Sequence, residues 1–398
     1  MKRYDKVTPE GTKDYLFDEC SRRSRVTGIL KDIFKARGYR RVMTPLIEFY
    51  DVFGASASYL PQENMYKLMD HKGRLMVLCP DGTIPIARLC ATRLSQMEMP
   101  LRLYYSHNVY RMANGLRGHS SEIYQCGVEL IGSGSVRSDL EILEMAASSL
   151  ENISGDNGYR LEICHIGYFK ALMDSLGADE VTREEIRYNI EQKNFASLND
   201  VLEQFPDNKA AVALKYLPRL FGGEEVFEQA YALFDDEQAR QSLDYLKTIY
   251  SSLQQLGLSD KVIIDLGLVN QAEYYTGIIF RGYFDEVGEP VLSGGRYDNL
   301  LSDFGSAQPA TGFAVNVDLA SSVIEKKPPL TADVLVMAAG DDYLVKAILY
   351  RKQLIAKGQV AENCVLDDRD AAIAYAERCG IAQVHVIGKT TEIIDIEA

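Results

Sequence analysis

No run in these 398 residues approaches the ~18 consecutive apolar residues that a membrane-spanning helix needs, so a membrane-embedded chain is not expected. Basic residues are scarce. Forty-three Lys and Arg against 57 Asp and Glu leave a net charge of −14, which repels phosphate backbones unless the bases gather in one groove, and nucleic acid is not an expected partner. The seven cysteines, at 20, 79, 90, 126, 164, 364 and 379, are odd in number and include no Cys-x-x-Cys pair. That opposes a disulfide framework or a zinc knuckle and makes them small buried hydrophobes. The five histidines, at 71, 107, 119, 165 and 385, show no spacing that would set two ligands on one helical face, so no metal is expected. There is no Gly-x-x-x-x-Gly-Lys-Ser/Thr loop and no Gly-x-Ser-x-Gly elbow. Gly132-Ser133-Gly134 lies between a strand and a helix, but Arg137 stands where the third glycine of a dinucleotide fingerprint belongs, and no cofactor is expected. The start, Met1-Lys2-Arg3-Tyr4-Asp5-Lys6, lacks the apolar stretch of a secretion signal, which predicts a cytoplasmic chain.

What is present is a globular composition, 46% apolar and 25% charged, in a length that suits about two to three domains. Val26, Leu30, Ile33 and Phe34 recur at helical spacing over 21–37, with Gly38 placed to end the helix. Residues 41–48 read as a short strand held at an edge by Pro45. Further strands are expected at 75–78, 101–105, 123–131, 262–266, 277–280 and 312–315. Ser138-Asp139-Leu140-Glu141 has capping-box spacing and opens a helix toward Leu150. Charged, helical text fills about 168–256. The pattern is α+β: one antiparallel sheet interrupted by a helical insertion, making a core over 1–325. Lys326-Lys327-Pro328-Pro329 is a linker. Beyond it, strands at 334–338, 360–366 and 384–387 alternate with helices at 343–357 and 369–379, which predicts a small parallel α/β domain over 330–398 with one open edge.

Several polar residues are embedded in apolar strands. Asp81 and Thr83 follow Leu78-Cys79-Pro80, Arg111 follows Val109-Tyr110, and Tyr274 and Tyr275 precede Thr276-Gly277. Gln125 and Glu129, four apart in a strand, share one face. That face is either solvated or occupied, and a carboxylate flanked by Val128, Leu130 and Ile131 costs ~1–3 kcal/mol unless something pairs it.

These residues carry a resemblance. Thr8-Pro9-Glu10-Gly11-Thr12-Lys13-Asp14, Gly38-Tyr39 with Thr44-Pro45, Leu78-Cys79-Pro80-Asp81-Gly82-Thr83, Tyr110-Arg111, Gln125, Glu129, Tyr274-Tyr275-Thr276-Gly277, Gly294-Gly295-Arg296-Tyr297-Asp298 and Gly312-Phe313-Ala314 occur in the order of the catalytic core of histidyl-tRNA synthetase, a class II aminoacyl-tRNA synthetase. The C-terminal piece resembles a shortened form of that family's anticodon-binding domain. The resemblance implies a class II antiparallel sheet with flanking helices. It also implies a histidine pocket in which Asp81, Thr83 and Gln125 hold the α-ammonium and Glu129 and Tyr275 read the imidazole. Arg111 would be free to meet the carboxylate.

The departures from the family lie on the ATP side. Asn270 and Leu319 stand where the synthetase has arginines, Ala113 replaces a glutamate, and His119 and Ser121 replace basic residues. One lost preorganised donor costs ~10²–10³ in rate, so adenylation is not expected and no catalytic residue is assigned. A retained amino-acid pocket with lost chemistry is similar to the regulatory subunits of ATP phosphoribosyltransferase. That likeness implies a short catalytic subunit as partner, histidine as effector, a part in histidine biosynthesis, and a homodimer formed through 38–48. The alternatives are an active or degenerate histidyl-tRNA synthetase, a ligase joining histidine to a small acceptor, and a scaffold with an empty pocket.

Overall fold

The computed structural model describes residues 4–54, 60–112, 120–155, 157–269, 275–326 and 330–396. The chain divides into two compact units, Met1–Glu325 and Lys326–Ala398.

In the first unit, helix Phe17–Ala36 buries Val26, Thr27, Leu30 and Phe34. It ends at Gly38, whose φ of +81° lets Gly38 N–H donate to Lys35 O and Tyr39 N–H to Phe34 O, both at 3.0 Å. Beside it lies a nine-stranded sheet in the order Arg40–Arg41, Leu101–Tyr110, Glu122–Ile131, Ala310–Asn316, Leu292–Arg296, Ile278–Phe284, Tyr159–His165, Val262–Asp265, Phe221–Gly222. Its pairings are antiparallel except for Arg40–Arg41 with Leu101–Tyr110 and Tyr159–His165 with Val262–Asp265. This is the α+β arrangement that the sequence pattern predicts, with the antiparallel sheet and flanking helices that the resemblance implies.

Several expectations need correction. Residues 41–48 are not one strand. Arg40–Arg41 sits at the edge of the large sheet, whereas Ile47–Phe49 joins Leu75–Leu78 and Lys67–Met69 in a separate antiparallel sheet, with Pro45, which has no N–H to donate, between the two. Strands Tyr159–His165 and Leu292–Arg296 were not foreseen. Ser138 and Asp139 do not form a capping box. The helix is Val136–Ser154, and both residues lie buried in its first turn, where they bind Arg296.

The helical insertion runs from Ile166–Leu176 through Glu180–Glu191, Phe195–Leu202, Lys209–Tyr216 and Glu225–Leu233 to Glu237–Gln255. Polar caps fix most of its helix starts: His165 accepts from Gly167 N–H, Asp179 from Thr182, Asn194 from Ser197, Asn208 from Ala210, and Asp236 from Gln238 and Ala239. Each cap satisfies backbone donors that the first turn leaves without partners.

The second unit has a four-stranded sheet in the order Ala361–Asn363, Val334–Ala338, Gln383–Ile387, Thr391–Asp395. The first three strands are parallel as expected, but Thr391–Asp395 folds back antiparallel and covers the edge that the sequence reading leaves open. Alternating residues of Val334–Ala338 serve the two faces. Leu335 and Met337 pack with Ala372 and Ala376 of helix Arg369–Cys379, whereas Val334 and Val336 pack with Ala347 and Leu354 of helix Leu344–Ala356. Cysteines 79, 90, 126 and 164 are buried, but Cys20 and Cys379 are exposed and Cys364 is half-buried, so the core reading fails for those three. No helix among the described residues is long and apolar enough to cross a membrane.

Candidate functional site

The face shared by Gln125 and Glu129 opens onto a cavity of about 410 Å³. Asp81, Thr83, Arg111, Gln125, Glu129 and Tyr275 all line it, brought together from four separate stretches of chain. Tyr274, the remaining expected site residue, lies outside the described residues, as do Asn270, Ala113 and His119.

Asp81 stands just before helix Thr83–Ala91 and orders its first turn: Oδ1 accepts from the N–H of Thr83 at 2.8 Å and of Ile84 at 3.1 Å. This bond turns the Thr83 hydroxyl inward, where it donates to Glu129 Oε1 at 2.8 Å. Arg111 donates from Nε to Pro80 O at 2.7 Å and holds Nη2 3.5 Å from Asp81 Oδ2, so the guanidinium is anchored at the rim beside the carboxylate.

Glu129 is 1% exposed. Its Oε1 accepts from Thr83, and its Oε2 accepts from the hydroxyl of Tyr297. Burial pushes its carboxyl up to about 8, against the opposing pull of those two hydrogen bonds, and the nearby Asp81 charge adds to the rise. The carboxyl is therefore held mostly protonated near neutrality. Gly312 makes the position possible, because a Cβ there would overlap Glu129 Oε2. Gln125 Oε1 is a buried acceptor with no hydrogen-bond partner, an arrangement that costs about 1–3 kcal/mol until a donor reaches it.

Sequence reasoning missed Tyr297, Arg281, Ser293 and Asn316, which also line the cavity. Tyr297 had a signal, since it belongs to the quoted segment 294–298. In that segment Arg296 is the buried hub: it donates to Asp139 at 2.7 Å, to Ser138 Oγ at 2.9 Å, and to Ser133 O and Asp298 Oδ1 at 3.0 Å. Fully paired, it fixes the strand end from which Tyr297 reaches Glu129. Arg281 carried no motif.

On the expected ATP side, Ser121 is buried, its N–H donating to Gly11 O at 2.7 Å and its carbonyl accepting from Arg111 N–H at 2.9 Å. Asp318 is occupied by Arg23 at 2.8 Å and by the N–H of Tyr124 at 2.9 Å. Leu319 packs against the apolar core. None of Ser121, Asp318 and Leu319 can supply a cation. Among the described residues no group of three or more His, Cys, Asp or Glu side chains could hold a metal ion.

Residues 11–319 match the family model for histidyl-tRNA synthetase. A protein of Clostridium kluyveri named ATP phosphoribosyltransferase regulatory subunit is 41% identical over 382 residues, covering 94% of this chain and 97% of that one. Its namesake in Clostridium botulinum strain Langeland is 37% identical, covering 96% and 92%. The crystal structure of an ATP phosphoribosyltransferase regulatory subunit/histidyl-tRNA synthetase from Bacillus halodurans superposes with a TM-score of 0.85 at 31% identity, over 98% of this chain and 100% of that one. The chain thus belongs to the histidyl-tRNA synthetase family and, within it, to the ATP phosphoribosyltransferase regulatory subunits.

Proposed function

We propose that this chain is a non-catalytic subunit that binds free histidine in the Glu129 cavity. It reports the occupancy to a short-form catalytic subunit, which joins ATP to phosphoribosyl pyrophosphate at the first step of histidine biosynthesis. The observation that carries the reading is the polarity of the cavity: an unpartnered acceptor, Gln125 Oε1, and the buried Glu129 carboxyl share one strand face, and an arginine stands at the rim. An α-ammonium suits the orphaned Gln125 Oε1, the Thr83 hydroxyl, whose proton is already given to Glu129, and the Asp81 carboxylate. An imidazole N–H facing Glu129 converts its desolvation cost into a charge-assisted bond, and a ligand without that donor leaves the cost unrelieved. Tyr275 closes the pocket, and the Arg111 guanidinium is available to the ligand carboxylate.

The cavity wall is tied to the helical insertion at two points and its support at a third, which supports a regulatory role. Lys170 Nζ donates to Tyr275 O at 2.8 Å, Arg281 lies 3.8 Å from Glu191, and Tyr245 donates to Asp139 at 2.6 Å beside Arg296. A ligand that reseats Tyr275 or Arg281 therefore loads the insertion, and a coupling of ~1–3 kcal/mol is enough for useful feedback. A homodimer of this chain is supported by the small sheet. Ile47, Phe49, Leu68, Met76 and Leu78 share one of its faces by register, and the first three are exposed.

The test is reconstitution. A short catalytic chain, inactive alone, gains activity when mixed with this protein and loses it on addition of histidine, and Gln125→Ala abolishes both the inhibition and calorimetric histidine binding. Unchanged histidine affinity in Gln125→Ala overturns the pocket. Histidine-stimulated ATP–pyrophosphate exchange by this chain alone would favour the synthetase alternative, which the match to that family supports and the buried Ser121 and half-buried Leu319 oppose.

A further inference from the structure

Two helices flank the sheet of the second unit, and their outer surfaces differ. Arg369–Cys379 presents Arg369, Asp370, Glu377 and Arg378 to solvent. Leu344–Ala356 presents Leu344, Val345, Ile348, Leu349 and Ile355, each between 41% and 70% exposed, although its opposite side already buries Ala347 and Leu354 against the sheet. At about 100° per residue, Leu344, Ile355, Ile348, Lys352, Val345 and Leu349 form one continuous strip along the helix. The inner side of this helix is packed on the sheet, and the apolar strip on its outer side is left uncovered.

The charges at its ends indicate what covers the other side. Asp341 and Asp342 precede the helix, Lys352 lies on the strip near its C-terminal end, and Lys357 follows it; all four are exposed. A second copy laid antiparallel sets the acidic end of each helix on the basic end of the other and opposes the two helix dipoles favourably. A parallel pairing would set like charge on like. We infer that Leu344–Ala356 is a self-association surface of this chain, pairing antiparallel about a two-fold axis midway between Val345 and Ile348. Val345, Ile348 and Leu349 form its apolar centre, and Asp341 of each copy faces Lys352 of the other. The inference does not depend on the histidine pocket.

The test uses the full chain with the accessible Cys20, Cys364 and Cys379 changed to Ser. Ile348→Cys places a thiol on the strip, and Glu377→Cys places one on the exposed side of the other flanking helix, Arg369–Cys379. Treated with a short bismaleimide at micromolar protein concentration, the Ile348→Cys chain gives a covalent dimer and the Glu377→Cys chain gives little. In the Ile348→Cys background, Asp341→Lys and Lys352→Asp each lower the yield several-fold, and the two together restore it. Equal yields from the two thiols, or none from Ile348→Cys, overturn the proposal. So does a combined charge swap that stays as low as the single changes, or an Ile348→Cys thiol that links to an added catalytic chain in place of a second copy.

Discussion

Glu129→Gln removes one ionisation from the cavity wall and changes almost no volume, so it isolates the electrostatics of the site. In the unfolded chain the carboxyl has its ordinary value of 4.5; in the folded protein burial holds it at about 8. Between those values the native state keeps a proton that the unfolded chain has released. Stability therefore falls as pH rises through this window, by about 1.4 kcal/mol per pH unit for one whole proton. From about pH 5.5 to 7.5 the loss is roughly 3 kcal/mol. Glutamine carries no proton to exchange, still accepts from the Thr83 or Tyr297 hydroxyl, and should be insensitive over the same range. Asp265, which burial raises to about 6, also contributes to the wild-type slope, but it cancels in the difference between the two proteins. The measurement is urea unfolding followed by far-ultraviolet circular dichroism at several pH values, on the transition of the first unit. The variant is expected to be the more stable near pH 8, with the advantage shrinking toward pH 5.5. Added histidine should stabilise the wild type alone. A difference between the two proteins that does not change with pH refutes the reasoning, because Glu129 would then titrate as a solvated carboxyl.

Three further changes probe the framework around the cavity. Gly312→Ala drives a methyl into Glu129 Oε2 and the Val128 carbonyl, and calorimetry should show histidine affinity down by at least tenfold while circular dichroism shows the fold retained. Asp139→Ala leaves the buried Arg296 guanidinium without its main counter-charge, and urea unfolding should register about 3–5 kcal/mol of lost stability. Asp368→Ala removes the side chain that accepts from Ala371 N–H, at a cost of about 1 kcal/mol, seen as faster amide exchange confined to helix Arg369–Cys379.

The parts of this fold that can be read from the sequence are those whose reason is local. Strands Leu101–Tyr110 and Glu122–Ile131 are rich in β-formers, and helix ends at Gly38 and Gly380 follow from backbone conformations that glycine adopts without strain, at φ +81° and +68°. The small set of polar residues in apolar strands was legible for the same reason: a period of two puts Gln125 and Glu129 on one face whatever the rest of the chain does. Strand Leu292–Arg296 was not legible, because Gly294-Gly295 has poor strand propensity and pairs only once Ala310–Asn316 and Ile278–Phe284 flank it. The capping box misled because Ser138 and Asp139 suit a cap and a buried ion pair equally, and the choice was made by Arg296, more than 150 residues away in sequence. The cavity divides along the same line. Its individual side chains could be named from their neighbours, whereas the Tyr297 bond to Glu129 spans a separation of 168 residues and is fixed by the register of three strands. That bond also decides the chemistry. Without Tyr297 and Thr83 the carboxyl would lose both donors that oppose its neutralisation. With them it stays within reach of ionisation near neutral pH, which is the condition that the proposed pairing with an imidazole N–H requires.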